Sequence, residues 1–427
     1  MGNLLEILLS ATDRLFDKKS SPAQTQPPVS QTPKKSLRTS EEMLEVLNHS
    51  KVFSFEHIAG KGIVLTSCRK EYNIHSLTIP DVVDRIGSEA FMDCRFLQSI
   101  TIPDSVKVIE KNAFKNCKYL EKVRFSEKLT RIGSNAFEGC AITEAILPEG
   151  LWELGSRAFY NCEALRSVRL PDTLNSLANG VFYGCTSLED IILPMSMNGS
   201  LYNAFAHCSS LKSFYIPEGI TEIGSWTFEY CGALNDVYIP SSVKKIGSCA
   251  FLNCSSIEYI HIPDSVEEID TSAVFSGCTS LKKIRLPIGI RFTHRFENDF
   301  NKLFAKCDAL HTVVLGSHSF DVDVPPDGDT LLVFHAELAA AGNPTARRFV
   351  VGNLRDILFA IIERNDRLCA DRLLSSGALT KDNVSGEDIL KALDRAAEKG
   401  SNEIYVMLLQ FRRDTLGFDT PEDRFRL

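Results

Sequence analysis

The sequence predicts a repeat solenoid with a parallel β-sheet on one face, followed by a small all-α domain. A unit of 23 residues recurs from Ile79 to about Leu315. Within each unit, apolar residues alternate over a few positions, as they do in a strand that is buried on one side. Beyond about residue 330 the composition becomes helical. Tandem units of roughly 20 to 50 residues stack as coils, each contacting only its neighbours.

Composition excludes several classes of function. The 427 residues include 47 Lys and Arg against 55 Asp and Glu, giving a formal charge of -8, so a nucleic acid partner is not expected. The thirteen cysteines are odd in number, and a chain of this size does not need disulfides to fold. No stretch reaches the roughly 18 apolar residues of a membrane span. Glu6 interrupts the first apolar run, so no export signal is recognised and a cytoplasmic location is expected.

Three segments precede the repeats. Residues 1–17 predict an amphipathic helix, because Leu4, Leu8, Ala11 and Leu15 share one face. Docking on the same protein is favoured for this helix over binding a partner or a membrane surface. Residues 18–40 are rich in Pro, Gln, Ser and Thr and predict a disordered linker. Residues 41–78 are expected to cap the array.

Residues 79–315 predict about ten coils, and the second coil illustrates the unit. Its strand follows the pattern L-x-x-I-x-I, and Pro103 ends the strand because proline cannot donate the next ladder bond. Val106 and Ile109 form a second short apolar segment, which in several coils is followed by Gly at an expected turn. Ala113 and Phe114 come next, and the Phe is expected to fill the space between coils.

One cysteine recurs in each coil, a few residues before the strand. Cysteine has a small side chain that forms only weak hydrogen bonds, and it is among the residue types most often buried. Metal ligands would have to converge on one ion, whereas side chains repeated at the strand spacing run parallel. We therefore interpret the series as a packing column, with no metal or cofactor. Its members are Cys94, Cys117, Cys140, Cys162, Cys185, Cys208, Cys231, Cys254, Cys278 and Cys307.

Pro, Ile-Gly, Ala-Phe and Cys recur together in coil after coil, as in "IPDVVDRIGSEAFMDCRFLQSIT". The pattern resembles the BspA-type leucine-rich repeat family. The resemblance implies a right-handed, curved solenoid with a parallel sheet on one face. It also implies a binding role, since known members include cell-surface adhesins that hold host matrix proteins or other cells. It supplies no catalytic residues.

Residues 316–330 predict an acidic loop after the array. Asp321, Asp323, Asp327 and Asp329 could supply oxygen ligands to calcium, but their spacing does not match an EF-hand. A solvated connector is favoured over a calcium site.

Residues 331–427 predict a helical domain with Pro344 at the start of one helix. The ends of two segments resemble ankyrin repeats, matched at Leu373, Leu374, Gly377 and Ala378. The T-P-L-H signature is missing from both, and two units are fewer than the roughly three that such arrays need. The helices are expected to cap the end of the solenoid.

The sequence carries no recognisable catalytic motif. It contains no H-E-x-x-H, C-x-x-C, G-x-S-x-G or phosphate-binding glycine loop. We therefore expect no enzymatic activity and look instead to the surface of the sheet.

The outward positions of each strand line up in columns along the stacked coils. One candidate binding patch stands out, because interfaces are enriched in aromatic residues and Arg. The alternative is that aromatic residues simply suit cross-strand packing on any sheet. The patch consists of Ile192, Tyr215, Tyr238, Tyr259, His261 and Arg285.

These observations favour a non-catalytic protein that binds another protein through its sheet face. An exported cell-surface adhesin that binds a host matrix protein or a glycan is the alternative. Two local expectations accompany this hypothesis. Cys249 belongs to a variable, outward column unconstrained by packing. The sixth coil, with Ser200 and Leu201 in the second apolar segment, should be irregular, and we expect Met195 and Met197 either to contact a partner or to repack locally.

Overall fold

The array is a β-solenoid of about ten turns with parallel sheets, followed by a helical region. The computed structural model describes residues 52–69, 73–293, 302–321 and 328–417. The predicted helix at 1–17 and linker at 18–40 lie outside the described residues. The chain divides into two units, Met1–Leu174 and Asn175–Leu427, and each is described by itself.

The first unit contains two series of parallel strands. The strand L-x-x-I-x-I forms one series, in which β3 pairs with β5 and β5 with β7. The second apolar segment of each coil forms another ladder, which the sequence did not predict. Its first member pairs antiparallel with β1, within the segment expected to be a cap. The strands are β1 (Phe53–Ile58), β2 (Gly62–Cys68), β3 (Ser76–Thr78), β4 (Arg85–Ile86), β5 (Ser99–Thr101), β6 (Val108–Ile109), β7 (Lys122–Arg124), β8 (Arg131–Ile132), β9 (Glu144–Ile146), β10 (Glu153–Leu154) and β11 (Ser167–Arg169).

The second unit repeats both series. The second ladder runs through the odd strands from β13 to β21, whereas the even strands carry the L-x-x-I-x-I segment. The strands are β12 (Asp190–Ile192), β13 (Gly199–Leu201), β14 (Ser213–Tyr215), β15 (Ile220–Ile223), β16 (Asp236–Tyr238), β17 (Lys245–Ile246), β18 (Tyr259–His261), β19 (Glu268–Asp270), β20 (Lys283–Leu286), β21 (Arg291–Thr293), β22 (Thr312–Leu315) and β23 (His318–Asp321).

The sixth coil is irregular, as its sequence predicts. The pairing of β13 with β15 shifts register between Gly199 and Ser200. Leu201 and Met197 are fully buried, whereas Met195 is exposed. Met197 therefore belongs to a local repacking of the core, and only Met195 is available to a partner.

Phenylalanine rings stack along the inside of each unit. In the first unit the ring centroids of successive coils lie 4.8 to 5.4 Å apart, and in the second 5.4 to 6.0 Å. Burying one such side chain contributes roughly 1.5 to 3 kcal/mol to folding. The rings that are fully buried belong to Phe91, Phe114, Phe137, Phe159, Phe182, Phe205, Phe228, Phe251, Phe275 and Phe304.

The cysteine column lies beside these rings, and all ten of its side chains are buried. The thiols do more than fill space, because they also donate hydrogen bonds, weak as such donors are. Along the column, the thiol donates a hydrogen bond to the carbonyl oxygen of the Phe one coil earlier, with 3.0 to 3.2 Å between Sγ and O. The donors are Cys117, Cys140, Cys162, Cys208, Cys231, Cys254, Cys278 and Cys307.

The glycines after the second ladder stand where the chain turns, as the sequence predicts. The carbonyl oxygens of Gly133, Gly155 and Gly247 accept the N–H of the residue three positions later, over 3.1 to 3.3 Å. The three backbones are not left-handed, but a Cβ on each would lie 2.5 to 2.6 Å from a backbone nitrogen of the preceding coil. Glycine is therefore required here by the close approach of two coils, which the sequence did not predict.

Two other slots of each coil do adopt the left-handed conformation. One is the residue before the cysteine, for example Asn116 with φ 60°. The other lies two residues before the Phe and includes Cys249 with φ 54°. Cys249 is half-buried, and its column is constrained by backbone conformation, a constraint that the sequence analysis did not predict. Many coils place Asn or Gly in these slots, because those residues tolerate positive φ.

The segment 316–330 is not simply a loop. Strand β23 pairs antiparallel with β22, and the first helix begins at Gly328. The ring of Phe320 on this strand stacks on Phe334 of that helix at 4.2 Å. Asp323 and Asp327 lie outside the described residues, so no four-carboxylate site is placed.

Six α-helices follow among residues 328–417. Asn343 caps the second helix by accepting the N–H groups of Thr345 and Ala346, and the helix begins at Pro344, as the sequence predicts. No helix in the described part of the chain has the length and apolar character needed to cross a membrane. The helices are α1 (Gly328–Ala340), α2 (Pro344–Gly352), α3 (Leu354–Glu363), α4 (Arg367–Ser375), α5 (Gly386–Lys399) and α6 (Asn402–Phe411).

Candidate functional site

The even strands of the second unit carry the candidate patch on their outer face. Tyr215 and Tyr238 are directly paired across β14 and β16. Their rings are parallel to within 3°, with centroids 4.7 Å apart. Each side of the stack stays open, since Tyr215 is 50% exposed and Tyr238 47%. The two rings form a flat aromatic surface that faces solvent.

Tyr259, His261 and Arg285 form a second part of the patch. Tyr259 is exposed on β18, and His261 pairs with Arg285 of β20. Nη1 of Arg285 contacts Nε2 of His261, and Nη2 lies 3.2 Å from both carboxylate oxygens of Asp264. Nε of Arg285 donates to the carbonyl oxygen of Gly316 over 3.2 Å. The guanidinium is therefore held in place by its own chain.

The imidazole of His261 is held neutral by its surroundings. Burial and the charge of Arg285 lower the pKa of His261, and the carboxylate of Asp264 only partly offsets them. Its contact with Arg285 places an unprotonated Nε2 next to a donor. His261 thus presents an uncharged imidazole ring near neutral pH.

The structure does not join all six patch residues in one ladder. Tyr215 and Tyr238 belong to a two-stranded ladder, whereas His261 and Arg285 belong to a four-stranded one. Strand β16 lies next to β18 without joining its ladder within the described coils. Ile192, on β12, is 79% exposed. The patch therefore consists of a tyrosine stack, the group of Tyr259, His261 and Arg285, and one apolar residue at its edge.

Carboxylates border the tyrosine stack. Asp190 and Asp236 occupy the other outward position of their strands and are exposed, and Asp236 pairs across the ladder with Ser213. Further along, Lys212 and Lys282 are engaged by Glu189 and Glu258 at 2.8 and 2.9 Å. Near the stack the surface is consequently aromatic and acidic.

The cysteines and histidines do not converge. Among the residues that the structure describes, no group of His, Cys, Asp and Glu side chains is arranged to hold a metal ion. Burial raises the pKa of the Cys162, Cys208 and Cys307 thiols to about 12, so these groups stay protonated and act as donors. The column therefore supports the coils that carry the sheet face.

The repeat array is similar to a known protein family and to several solved structures. The BspA type leucine rich repeat region matches in six copies, over residues 64–140, 130–258 and 201–322. No curated protein matches the chain. A leucine-rich repeat protein from Bacteroides ovatus is a solved structure with 28% identity, covering 62% of this chain and 70% of its own, with a TM-score of 0.46.

Two further solved structures are similar to the array. A leucine-rich repeat protein from Eubacterium ventriosum has 19% identity, covering 63% of this chain and 77% of its own, with a TM-score of 0.41. A leucine rich cell surface protein from Faecalibacterium prausnitzii has 22% identity, covering 68% and 97%, with a TM-score of 0.33. The family model spans more than half of the chain, in register with the strands and columns described above. The chain therefore belongs to the BspA-type leucine-rich repeat family.

Proposed function

We propose that the chain is a non-catalytic scaffold that binds another protein through the outer face of β12 to β20. The observation that carries this proposal is the stack of Tyr215 on Tyr238, which leaves both rings about half exposed. Stacking fixes the rings before a partner arrives, so little side-chain entropy remains to be lost on binding. Packing on the sheet alone does not require the outer halves of two rings to face water.

Pre-organisation extends to the rest of the patch. Arg285 is anchored by Asp264 and the carbonyl of Gly316, and it holds His261 beside it. A fixed guanidinium next to exposed aromatic rings is typical of residues that dominate binding energy at interfaces. Ile192 adds an apolar contact at the edge of the patch. The partner we expect is a protein surface that covers the tyrosine stack.

The test compares capture by the intact chain with capture by the double variant Tyr215→Ala with Tyr238→Ala. Proteins recovered from the native cell are quantified, and binding of the purified partner is then measured by calorimetry. We expect the double variant to lose affinity by about 1,000-fold, because each central aromatic truncation costs about 2 kcal/mol or more and the two together cost about 4 kcal/mol.

Tyr119→Ala is the matched control, because Tyr119 is 59% exposed but lies in the first unit. It should capture the partner as the intact chain does. Equal affinity of the double variant and the intact chain would remove the sheet face from consideration. Circular dichroism of the double variant verifies that the coils remain folded.

An exported adhesin is the second candidate, and membership of the BspA-type family supports it. Its ligand would be a matrix protein or a glycan at the cell surface, whereas the first candidate works in the cytoplasm. Treating intact cells with protease separates the two. Cleavage of the native protein in unbroken cells would contradict the cytoplasmic assignment.

We also infer that α3 to α6 are two ankyrin-like units that close the solenoid. Helix α3 packs on α5 and α4 packs on α6, so the two helix pairs stack in the same order. Helix α1 meets the last coils, where the N–H of Gly289 donates to His335. Removing residues 328–427 should lower the unfolding midpoint of the remaining chain, and an unchanged midpoint would contradict the capping role.

A further inference from the structure

A second aromatic cluster lies away from the sheet face, on the edge where the left-handed slots recur. The ring of His207 stacks on Tyr230 at 4.8 Å and meets Tyr183 at 5.0 Å. Trp226 belongs to the same coil as Tyr230, and both are exposed, at 43% and 46%. None of these residues takes part in the patch described above.

Two of these side chains stand where the backbone disfavours them. Trp226 and Tyr230 have φ values of 59° and 58°. Aromatic side chains such as these rarely adopt this conformation, whereas Asn, Asp, His and Gly accept it more readily. In most other coils the slot of Tyr230 holds one of those four residues, and Lys306 is the exception; the residues are Asp93, Asn116, Gly139, Asn161, Gly184, His207, Asn253 and Gly277. Residues kept in a disfavoured conformation and exposed to water point to a role other than folding.

One carboxylate lies within this cluster. Glu229 precedes Tyr230, and its carbonyl oxygen accepts the N–H of His207 over 2.6 Å. Its side chain is half-buried, and among the described residues no Lys or Arg lies within ion-pair distance of it. Burial raises the pKa of Glu229, and His207 only partly offsets this effect. A desolvated carboxylate beside exposed ring faces favours the approach of a cation.

In the first unit, the edge formed by the equivalent slots contains a contact between a cation and an aromatic ring of the chain itself. The guanidinium of Arg157 lies over the ring of Tyr160, 5.2 Å from its centroid. Arg157 occupies the slot that Trp226 occupies in its own coil. In the second unit the rings are present, and the cation is not part of the described chain.

We propose that Tyr183, His207, Trp226, Tyr230 and Glu229 form a docking site for an arginine side chain of a protein partner. The guanidinium would lie against the ring faces and form an ion pair with the carboxylate of Glu229. Arginine suits the site because its planar group stacks on aromatic rings and pairs with a carboxylate at the same time. The net charge of -8 also favours a basic partner segment. The site is independent of the sheet face.

The test uses the full chain with Trp152→Phe, which leaves Trp226 as the sole tryptophan. An acetylated and amidated tetra-arginine peptide is titrated, and emission from Trp226 is followed. The matched peptide contains four citrullines, which keep the shape but lack the charge. We expect a saturable change with arginine and binding at least about tenfold weaker with citrulline. Equal binding of the two peptides, or no change with arginine, would overturn the proposal.

Tyr230→Asn in the same background separates binding from folding. Asparagine suits the left-handed slot, so the unfolding midpoint should stay the same or rise, while affinity for tetra-arginine falls by about tenfold. Glu229→Gln should weaken binding by a similar factor and flatten its dependence on salt. Tyr119→Ala should leave the titration unchanged.

Three results would contradict the site. A lower unfolding midpoint in Tyr230→Asn would show that the ring belongs to the packing of the coils. Retained affinity in Tyr230→Asn or in Glu229→Gln would place the peptide elsewhere. If neutral oligosaccharides quench Trp226 and tetra-arginine does not, the edge binds a glycan and the proposal fails.

Discussion

The thiol of Cys254 donates a hydrogen bond to the carbonyl oxygen of Phe228, one coil earlier, with 3.1 Å between Sγ and O. The same oxygen accepts the N–H of Cys231 over 3.1 Å. Both lone pairs of a buried carbonyl are thus used, one within its coil and one between coils. Burial raises the pKa of Cys254, so the thiol remains protonated and able to donate.

Cys254→Ala should therefore destabilise the chain. The substitution removes a donor and leaves the carbonyl of Phe228 half-satisfied, which costs about 1 to 3 kcal/mol of unfolding free energy. Urea unfolding followed by circular dichroism measures the loss. Cys249→Ala is the control, since Cys249 is only half-buried and its thiol lies 3.3 Å from the carbonyl oxygen of Ser272, farther than the bond of Cys254, so its effect should be smaller. Equal effects of the two substitutions would contradict a role for the thiol bond.

Phe251→Ala should be more severe. The ring is fully buried between Phe228 and Phe275, with centroids 5.4 and 5.7 Å away. Truncating a core Phe costs about 3 to 5 kcal/mol through lost burial and the cavity left behind. The same urea titration applies. Tyr119→Ala, an exposed aromatic truncation, should change the unfolding free energy little, and a near-zero effect of Phe251→Ala would mean that the stack is not buried.

Two neighbouring glycines provide a matched pair of substitutions. A Cβ on Gly155 would lie 2.5 Å from the backbone nitrogen of Ser134, whereas one on Gly150 would meet nothing closer than 3.7 Å. Gly155→Ala should destabilise by about 1 to 3 kcal/mol, because the coils must move apart. Gly150→Ala should be neutral or slightly stabilising. Similar unfolding midpoints for the two variants would contradict a close approach of the coils.

Much of the fold could be read from recurrence. Phe251 and Cys254 have equivalents 23 residues earlier and 24 residues later in the neighbouring coils, which is sufficient to predict that each packs on its equivalents. The bond from Cys254 to Phe228 could not be predicted, because it depends on which carbonyl the stacking brings within reach of Sγ. The close approach that requires glycine at Gly155 could not be predicted either, since a distance between coils is not visible in one coil.

The binding patch was predictable only in part. The alternation of the strands indicates that Tyr215 and Tyr238 share a face, but not that their ladder stops before Tyr259. The hydrogen bonds that hold Arg285 could not be predicted, because their acceptors, Asp264 and Gly316, lie on separate turns of the chain. The left-handed slots did leave a signal, which is the recurrence of Asn and Gly before the cysteines.

The recurrence of Asn and Gly in the left-handed slots predicts a stabilising substitution. Lys306 occupies a left-handed slot with φ 60° and is exposed. Lys306→Asn should stabilise the chain by up to about 1 kcal/mol, because Asn tolerates this conformation better than a long side chain. Lys306→Ala is the control and should bring no gain. Thermal unfolding measures both, and an equal midpoint for all three chains would show that the slot carries no strain.

Acid should weaken the contact between α1 and the last coils through His335. This side chain is fully buried, its Nδ1 lies 2.7 Å from the carbonyl oxygen of Leu331, and its Nε2 accepts the N–H of Gly289 over 3.3 Å. Protonation of Nε2 would place a donor against the N–H of Gly289. Burial accordingly lowers the pKa of His335 to about 4, although the bond to Leu331 opposes the shift.

The sign of the effect follows from proton binding. In the unfolded chain His335 takes up a proton near pH 6.5, whereas in the folded chain it does so only near pH 4. Between these values the unfolded state binds more protons, so the unfolding free energy falls as pH falls. The contribution is complete above pH 6.5, and about 3 kcal/mol of it is lost by pH 4.

Urea unfolding of the intact chain and of His335→Gln at pH 7 and pH 5 isolates this contribution. Glutamine keeps a polar group at the site but does not titrate, and all other ionisable groups are common to both chains. The intact chain should lose about 2 kcal/mol more than the variant between the two pH values. Parallel losses in the two chains would show that His335 does not control the acid sensitivity of this contact.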